Sequence, residues 1–275
     1  MTPVLHPDIQ RFTEANAELR AELAALLTEA HDLAHTVRPN LLAIYQTKLG
    51  AWELEKLKAQ FRVARLKRTI ELMQAALNRG QVPDVRQIEA QVQEEQVLWE
   101  VKLKEAAEKL QHAEERLTHL LSDEHNAELK KLYYQLVKQL HPDLHPEQDH
   151  GTRQMWQQVQ HAYDLGDLEK LRALALLLKD AKPPENTPDA LEKLQAEHTM
   201  LEKRIAELKR KIAEIESQPP FTLREDLDNE VWITMRRTAL EKETGPLQAQ
   251  AAALEKHLET LLPPPHVPGI QFGPN

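Results

Sequence analysis

The sequence contains no cysteine. Disulfides and thiolate metal sites are therefore excluded, and nothing calls for an oxidising compartment. Aromatic residues make up only 4% of the chain and glycines number seven in 275 residues. That is thin material for one large globular core, and strands are expected to be scarce. A basic segment followed by an apolar run is missing from the N-terminal MTPVLHPDIQRF, and the longest apolar run, LRALALLL from Leu171, is too short and interrupted to span a bilayer. A cytoplasmic location with no membrane contact is the expectation. Positive charge is also in deficit: the formal net charge is −9 and the pI about 5.8, which argues against a general affinity for nucleic acid or anionic lipid. With no cysteine, no Gly-x-Ser-x-Gly elbow and no glycine-rich phosphate loop, the chain is not expected to be an enzyme or to bind a cofactor.

Leu, Ala, Glu, Lys, Gln and Arg are abundant, and 29% of residues are charged. This composition favours long helices packed along narrow apolar stripes, so the expected fold class is all-α, with long antiparallel coiled-coil hairpins flanking a shorter helical hairpin. Residues 1–38 carry a heptad stripe through Ile9, Phe12, Leu19, Leu23, Leu26, Ala30, Leu33 and Val37, with Asn16 at a seam position where a buried amide can fix register. Val37-Arg38-Pro39-Asn40 predicts a break. Residues 39–121 read as an antiparallel hairpin: one stripe runs from Leu42 to Leu77, Gly80 to Pro83 form a short connector, and a second stripe from Ile88 to Leu120 slips by one residue near Gln96. Arg62, Arg65, Lys67 and Arg68 form a basic cluster best read as a solvated helix face. Residues 122–180 form a central region and 181–188 a proline-rich linker. Residues 189–262 carry a second heptad pattern, read as another hairpin with His198 on its seam, and residues 263–275 read as a disordered tail.

Within the central region, Leu129, Leu132, Tyr133, Leu136 and Leu140 share one helical face, while Lys130, Tyr134 and Lys138 line another with Lys131 beside them. After His141-Pro142-Asp143 and a polar loop, Trp156, Val159, Ala162 and Tyr163 supply the matching apolar face of a second helix. The run Leu-Tyr-Tyr-Gln-Leu-Val-Lys-Gln-Leu-His-Pro-Asp from Leu132 to Asp143, followed by Trp-Gln-Gln-Val-Gln-His-Ala-Tyr from Trp156, resembles the J-domain of the DnaJ co-chaperones. The flanking rods resemble those of a bacterial group in which a J-like hairpin is embedded between helical rods.

The resemblance implies that His141, Pro142 and Asp143 dock on a DnaK-type heat-shock chaperone and stimulate its ATPase, with Lys130, Lys131 and Lys138 on the partner-facing side. It assigns Leu132, Tyr133, Leu136, Leu140, Trp156, Val159, Ala162 and Tyr163 to the hairpin core. The rods would bind clients or partners, and a homodimer through the coiled coil is a further expectation. The alternative is a structural coiled-coil scaffold whose J-like hairpin does not stimulate.

The family's opening helix is missing, and Leu117, Leu120 and Leu121 are the expected substitutes as packing partners. Tyr134 and Gln135 stand where the family usually has basic residues, a loss of about 1 kcal/mol or less each. The bare tripeptide also occurs as His6-Pro7-Asp8 without flanking helices of the same kind, so context carries the resemblance. His141, His145, His150 and Asp143 crowd one loop, but a polar loop rarely gathers ligands tetrahedrally, and no metal site is expected.

Overall fold

The computed structural model describes residues 7–118, 123–177 and 190–262. Among these residues the chain is helical, with no strand. His6, Leu120, Leu121, the linker 181–188 and the tail 263–275 lie outside the described residues. The elements are α1 (Pro7–Asp32), α2 (Arg38–Tyr45), α3 (Ala51–Asn78), α4 (Val85–Glu95), α5 (Val97–Thr118), α6 (Asp123–Leu140), α7 (His150–Asp164), α8 (Leu168–Leu177), α9 (Ala190–Glu216), α10 (Arg224–Asp228) and α11 (Glu230–Leu261). They divide into two compact units, Met1–Leu42 with Arg116–Glu225 and Ala43–Glu115 with Asp226–Asn275.

Helical backbone continues through the break predicted at Pro39. A π-helical turn, Leu33–Val37, joins α1 to α2, and the Arg38 amide bonds the Leu33 carbonyl five residues back. A proline ring collides with the carbonyl four residues before it, and the wider π turn gives room where a regular helix would end.

In the first unit α1 and α9 pair along their lengths. Phe12 meets His198 edge-to-face at 5.5 Å, Asn16 bonds the Leu194 carbonyl at 2.8 Å, and Glu22 pairs with Lys209 at 2.7 Å. From Asn16 and Leu194 to Glu22 and Lys209 the partner numbers rise together, so the two helices are parallel. Asn16 is buried, and its side-chain oxygen also meets His198 Nδ1 at 2.9 Å. A buried amide with both ends satisfied selects one register over its neighbours, because a slip would leave it unpaired.

In the second unit α3 and α11 form another parallel pair. Lys48, in the π-helical turn Gln46–Gly50 that leads into α3, meets Glu230 at 3.2 Å; within α3, Trp52 Nε1 donates to Glu241 at 3.1 Å, Lys56 pairs with Glu243 and Arg62 with Glu255 at 2.6 Å. Gly80 ends the α3 region with a positive φ of 71°, while the Gln81 and Gly80 amides cap the carbonyls of Ala76 and Leu77, a turn that glycine enters without a Cβ penalty. The chain then returns antiparallel to α3: Arg68 meets Glu95 at 2.6 Å, and Phe61 faces Trp99 with centroids 6.1 Å apart. The slip near Gln96 appears as the break between α4 and α5. Two cations of the basic cluster, Arg62 and Arg68, are thus occupied by carboxylates of the same chain.

The hairpin expected within 189–262 is corrected by these pairings: the partner of α9 is α1, and the partner of α11 is α3. Heptad periodicity specifies which stripe is apolar but not which stripe it meets, and the expected connector instead forms a 3-10 turn at Phe221–Leu223 followed by α10.

Candidate partner-binding site

Helix α6 is amphipathic, and its apolar face closes on α7 and α8. Tyr133 and Leu136 are each 1% exposed, and Leu140, Trp156, Val159, Ala162 and Tyr163 are also buried. Leu132 is only partly buried, at the margin of the same cluster, while Val137 and Leu144 are buried in it. Val137 adjoins Leu136, which widens the apolar face beyond the stripe read from spacing, and Leu144 is drawn inward by the turn after His141. Tyr133 sits at the centre, 4.1 Å from the Tyr163 ring and 5.7 Å from Trp156 by centroid. Burial pushes the Tyr133 hydroxyl well above its ordinary pKa, with the Asp164 charge second, so it stays neutral.

Asp149 caps α7 by accepting from the Thr152 amide at 2.7 Å. At the other end Gly166, with φ of 67°, supports a turn in which the Asp167 amide reaches the Ala162 carbonyl at 2.8 Å. Asp167 then caps α8 through the Lys170 amide. This reversal lays α8 on α6, where Arg172 clasps Glu128 at 2.5 Å.

The hairpin core is continuous with the α1·α9 pair: Leu23 and Ala24 of α1, Leu33 of the π-helical turn after it, and Leu201, Ile205, Leu208 and Ile212 of α9 belong to the same cluster. The packing partners of the hairpin that the structure displays are therefore α1 and α9. Leu117, half-buried at the end of α5, is the one described member of the trio expected to fill this role.

The loop at the hairpin tip is built rather than loose. The Leu144 and His145 amides bond the His141 carbonyl at 2.9 and 3.0 Å, and His145 Nε2 meets the Lys138 carbonyl at 2.8 Å. The His141 ring stands edge-on to Trp156 at 4.9 Å, and its Nδ1 accepts from the Asp143 amide at 3.0 Å. Burial pushes His141 down to about 4; the Asp143 charge opposes the shift and Arg204 adds to it. At neutral pH the ring is uncharged, and because Nδ1 accepts, the proton is on Nε2. Pro142 is exposed.

Asp143 is taken by a residue that sequence reasoning missed. Arg204 of α9 places Nε 2.8 Å and Nη2 2.7 Å from Asp143 Oδ2. Bonding to Asp143 raises the Arg204 pKa further above its ordinary value. Between loop and helix lies a cleft of about 320 Å³ lined by Pro142, Asp143, Pro146, Met200, Lys203 and Arg204. Of the expected basic face, Lys130 pairs with Asp32 of α1 at 2.8 Å, and the Tyr134 hydroxyl approaches the Ala21 carbonyl at 3.5 Å. Lys131 and Lys138 are exposed, the latter 5.9 Å from the centroid of the Tyr134 ring. No local sequence signal marks Arg204 or Asp32 among so many charged residues. Among the described residues, the loop's histidines and Asp143 do not gather as a set of metal ligands.

Fold and site define an all-helical hairpin carrying a hydrogen-bonded His-Pro-Asp tip. Residues 117–173 match the family model of the DnaJ domain. That segment runs from the end of α5 into α8, and over it the chain is similar to the DnaJ domain. At the level of the family, the domain implies co-chaperone work with chaperones of the heat-shock protein 70 type. No curated protein and no solved structure matches the chain. Among the described residues, no helix is long and apolar enough to cross a membrane.

Proposed function

We propose that this protein is a co-chaperone, itself without catalytic activity, that recruits a DnaK-type chaperone through His141-Pro142-Asp143 and stimulates its ATP hydrolysis. The observation that carries this is the ordered tip: a neutral, packed His141 beside an exposed Pro142, on a closed α6·α7 hairpin inside the matched segment. Lys131 and Lys138 remain accessible for steering an acidic partner surface. Arg204 is a removable cover, since a partly exposed ion pair contributes only about 0.2–1 kcal/mol. The rods bind clients or partners, in the cytoplasm. A homodimer through the α1 seam is disfavoured, because α9 already fills that seam.

The test is single-turnover ATP hydrolysis by a DnaK-type chaperone with wild-type protein and with His141→Gln. Stimulation by the wild type and its loss in the variant is the expected result; equal stimulation, or none by either, contradicts the proposal. A scaffold role with a non-stimulating hairpin is favoured by one observation, the engagement of Asp143 and Lys130 by Arg204 and Asp32 of the same chain. It predicts that Arg204→Ala leaves the chain as inert toward the ATPase as before.

A further inference from the structure

Where α7 ends against α1, His31, His35 and Asp164 converge. His31 Nε2 lies 2.7 Å and His35 Nδ1 3.6 Å from the same carboxylate oxygen, Asp164 Oδ1. The two imidazoles are stacked, with centroids 4.3 Å apart and planes within 21°, so both rings bring a nitrogen edge to one acid. All three ligand atoms lie within 4.8 Å of one another.

We propose that this cluster is a binding site for a divalent transition cation of the zinc class. Two histidines one helical turn apart, joined by a carboxylate from a second element, are a recurrent zinc set, and neutral nitrogen and carboxylate donors suit borderline cations. Ligands about 2.0–2.2 Å from a tetrahedral ion lie roughly 3.2–3.6 Å from each other. The His35 to Asp164 separation already has that value and is too long for a hydrogen bond. The His31 to Asp164 separation needs to open by less than about 1 Å.

The surroundings fit a bound cation. Tyr133 and Tyr163 flank His31 at 4.9 and 5.4 Å and fix its ring. Asp32, the nearby acid that would compete as a ligand, is held by the Tyr163 hydroxyl at 3.0 Å and by Lys130. Asp164 is the last residue of α7, at the negative end of the helix dipole. His35 is 50% exposed, which leaves a fourth position open to water, and it lies in the π-helical turn Leu33–Val37, an irregularity frequent at functional sites. A cation here ties the C-terminal end of α7 to α1.

The proposal does not depend on the ATPase reading. It is tested by titrating the full chain with Zn²⁺ in competition with a chromophoric chelator, using wild type, His35→Ala, Asp164→Asn and, as a control, the exposed His112→Ala, each first checked for a native thermal melt. One saturable equivalent is expected, weakened by at least about tenfold in His35→Ala and Asp164→Asn, the size that even an outer-shell change has, and unchanged in His112→Ala. Hydrogen exchange should slow at residues 160–166 when Zn²⁺ is added to the wild type, and should not change in His35→Ala. Absence of a saturable equivalent, or one that both site variants retain at full strength, overturns it.

Discussion

The pair α1·α9 and the pair α3·α11 are both parallel, yet they use polar side chains differently. In α3·α11 the polar residues run along the flank and join one helix to the other, as Lys56 to Glu243 and Arg62 to Glu255 do. In α1·α9 an amide and an imidazole, Asn16 and His198, meet at the seam, and several charged residues point away from the pair toward the hairpin. Asp32 takes Lys130 and Tyr163, His31 takes Asp164, and Arg204 takes Asp143. One pair is braced as a rod, whereas the other is a cradle whose polar groups hold the hairpin that carries the His-Pro-Asp tip.

The comparison breaks most visibly in the shared core. Leu136→Ala removes a side chain that is 1% exposed, and should cost about 2–5 kcal/mol. Hydrogen exchange with mass spectrometry should then show lost protection in α1, α6, α7 and α9 together, with α3 and α11 unchanged. Equal loss in both units would mean that they fold as one.

A second contrast lies in acid. His141 is depressed to about 4, so in the folded state it takes up fewer protons than in the unfolded chain between about pH 6.5 and pH 4. Its contribution is complete above pH 6.5 and is lost as pH falls toward 4. The charged or titratable groups facing it are Asp143 and His145 on its own loop, Arg204 from α9 and His31 from α1. Glu95 of the second unit has the same sign but a lower window: its carboxyl is held at about 2, chiefly by Arg68, and its contribution is lost only as pH falls below about 4.5. Protection of α6 and α7 should therefore decline between pH 6.5 and pH 5 while that of α3 and α4 does not. The decline should be smaller in His141→Gln, and an identical decline in that variant would assign the effect elsewhere.

The smallest of these effects concerns the seam. Asn16→Ala leaves His198 Nδ1 and the Leu194 carbonyl without a partner and should cost about 1–2 kcal/mol. In a double-mutant cycle with His198→Ala the two costs should fail to add; simple additivity would show that the pair does not set the register.

Much of the architecture was legible because it depends on local spacing. Stripes of three and four marked the long helices, the slip near Gln96 marked the α4–α5 break, and the faces of Tyr133 and Trp156 marked the hairpin core. What spacing could not convey was partnership. The stripe of α9 fits α1 as readily as a neighbour in sequence, and choosing between them depends on Asn16 meeting Leu194 and His198 across 178 to 182 residues. Pro39 misled because a π turn absorbed the clash. Arg204 and Asp32 were illegible because a charged residue on a helix looks the same whether it faces solvent or a loop folded against it. His31 and His35 were visible as an i, i+4 pair only in hindsight, since Asp164 reaches them through tertiary packing.

The most direct test of the central claim is single-turnover ATP hydrolysis by a DnaK-type chaperone, with wild type, His141→Gln and Arg204→Ala measured side by side. If the cradle presents a working tip, the wild type stimulates, His141→Gln does not, and Arg204→Ala stimulates at least as well as the wild type because Asp143 is uncovered. No stimulation by any of the three would contradict the account and leave the hairpin as a structural joint.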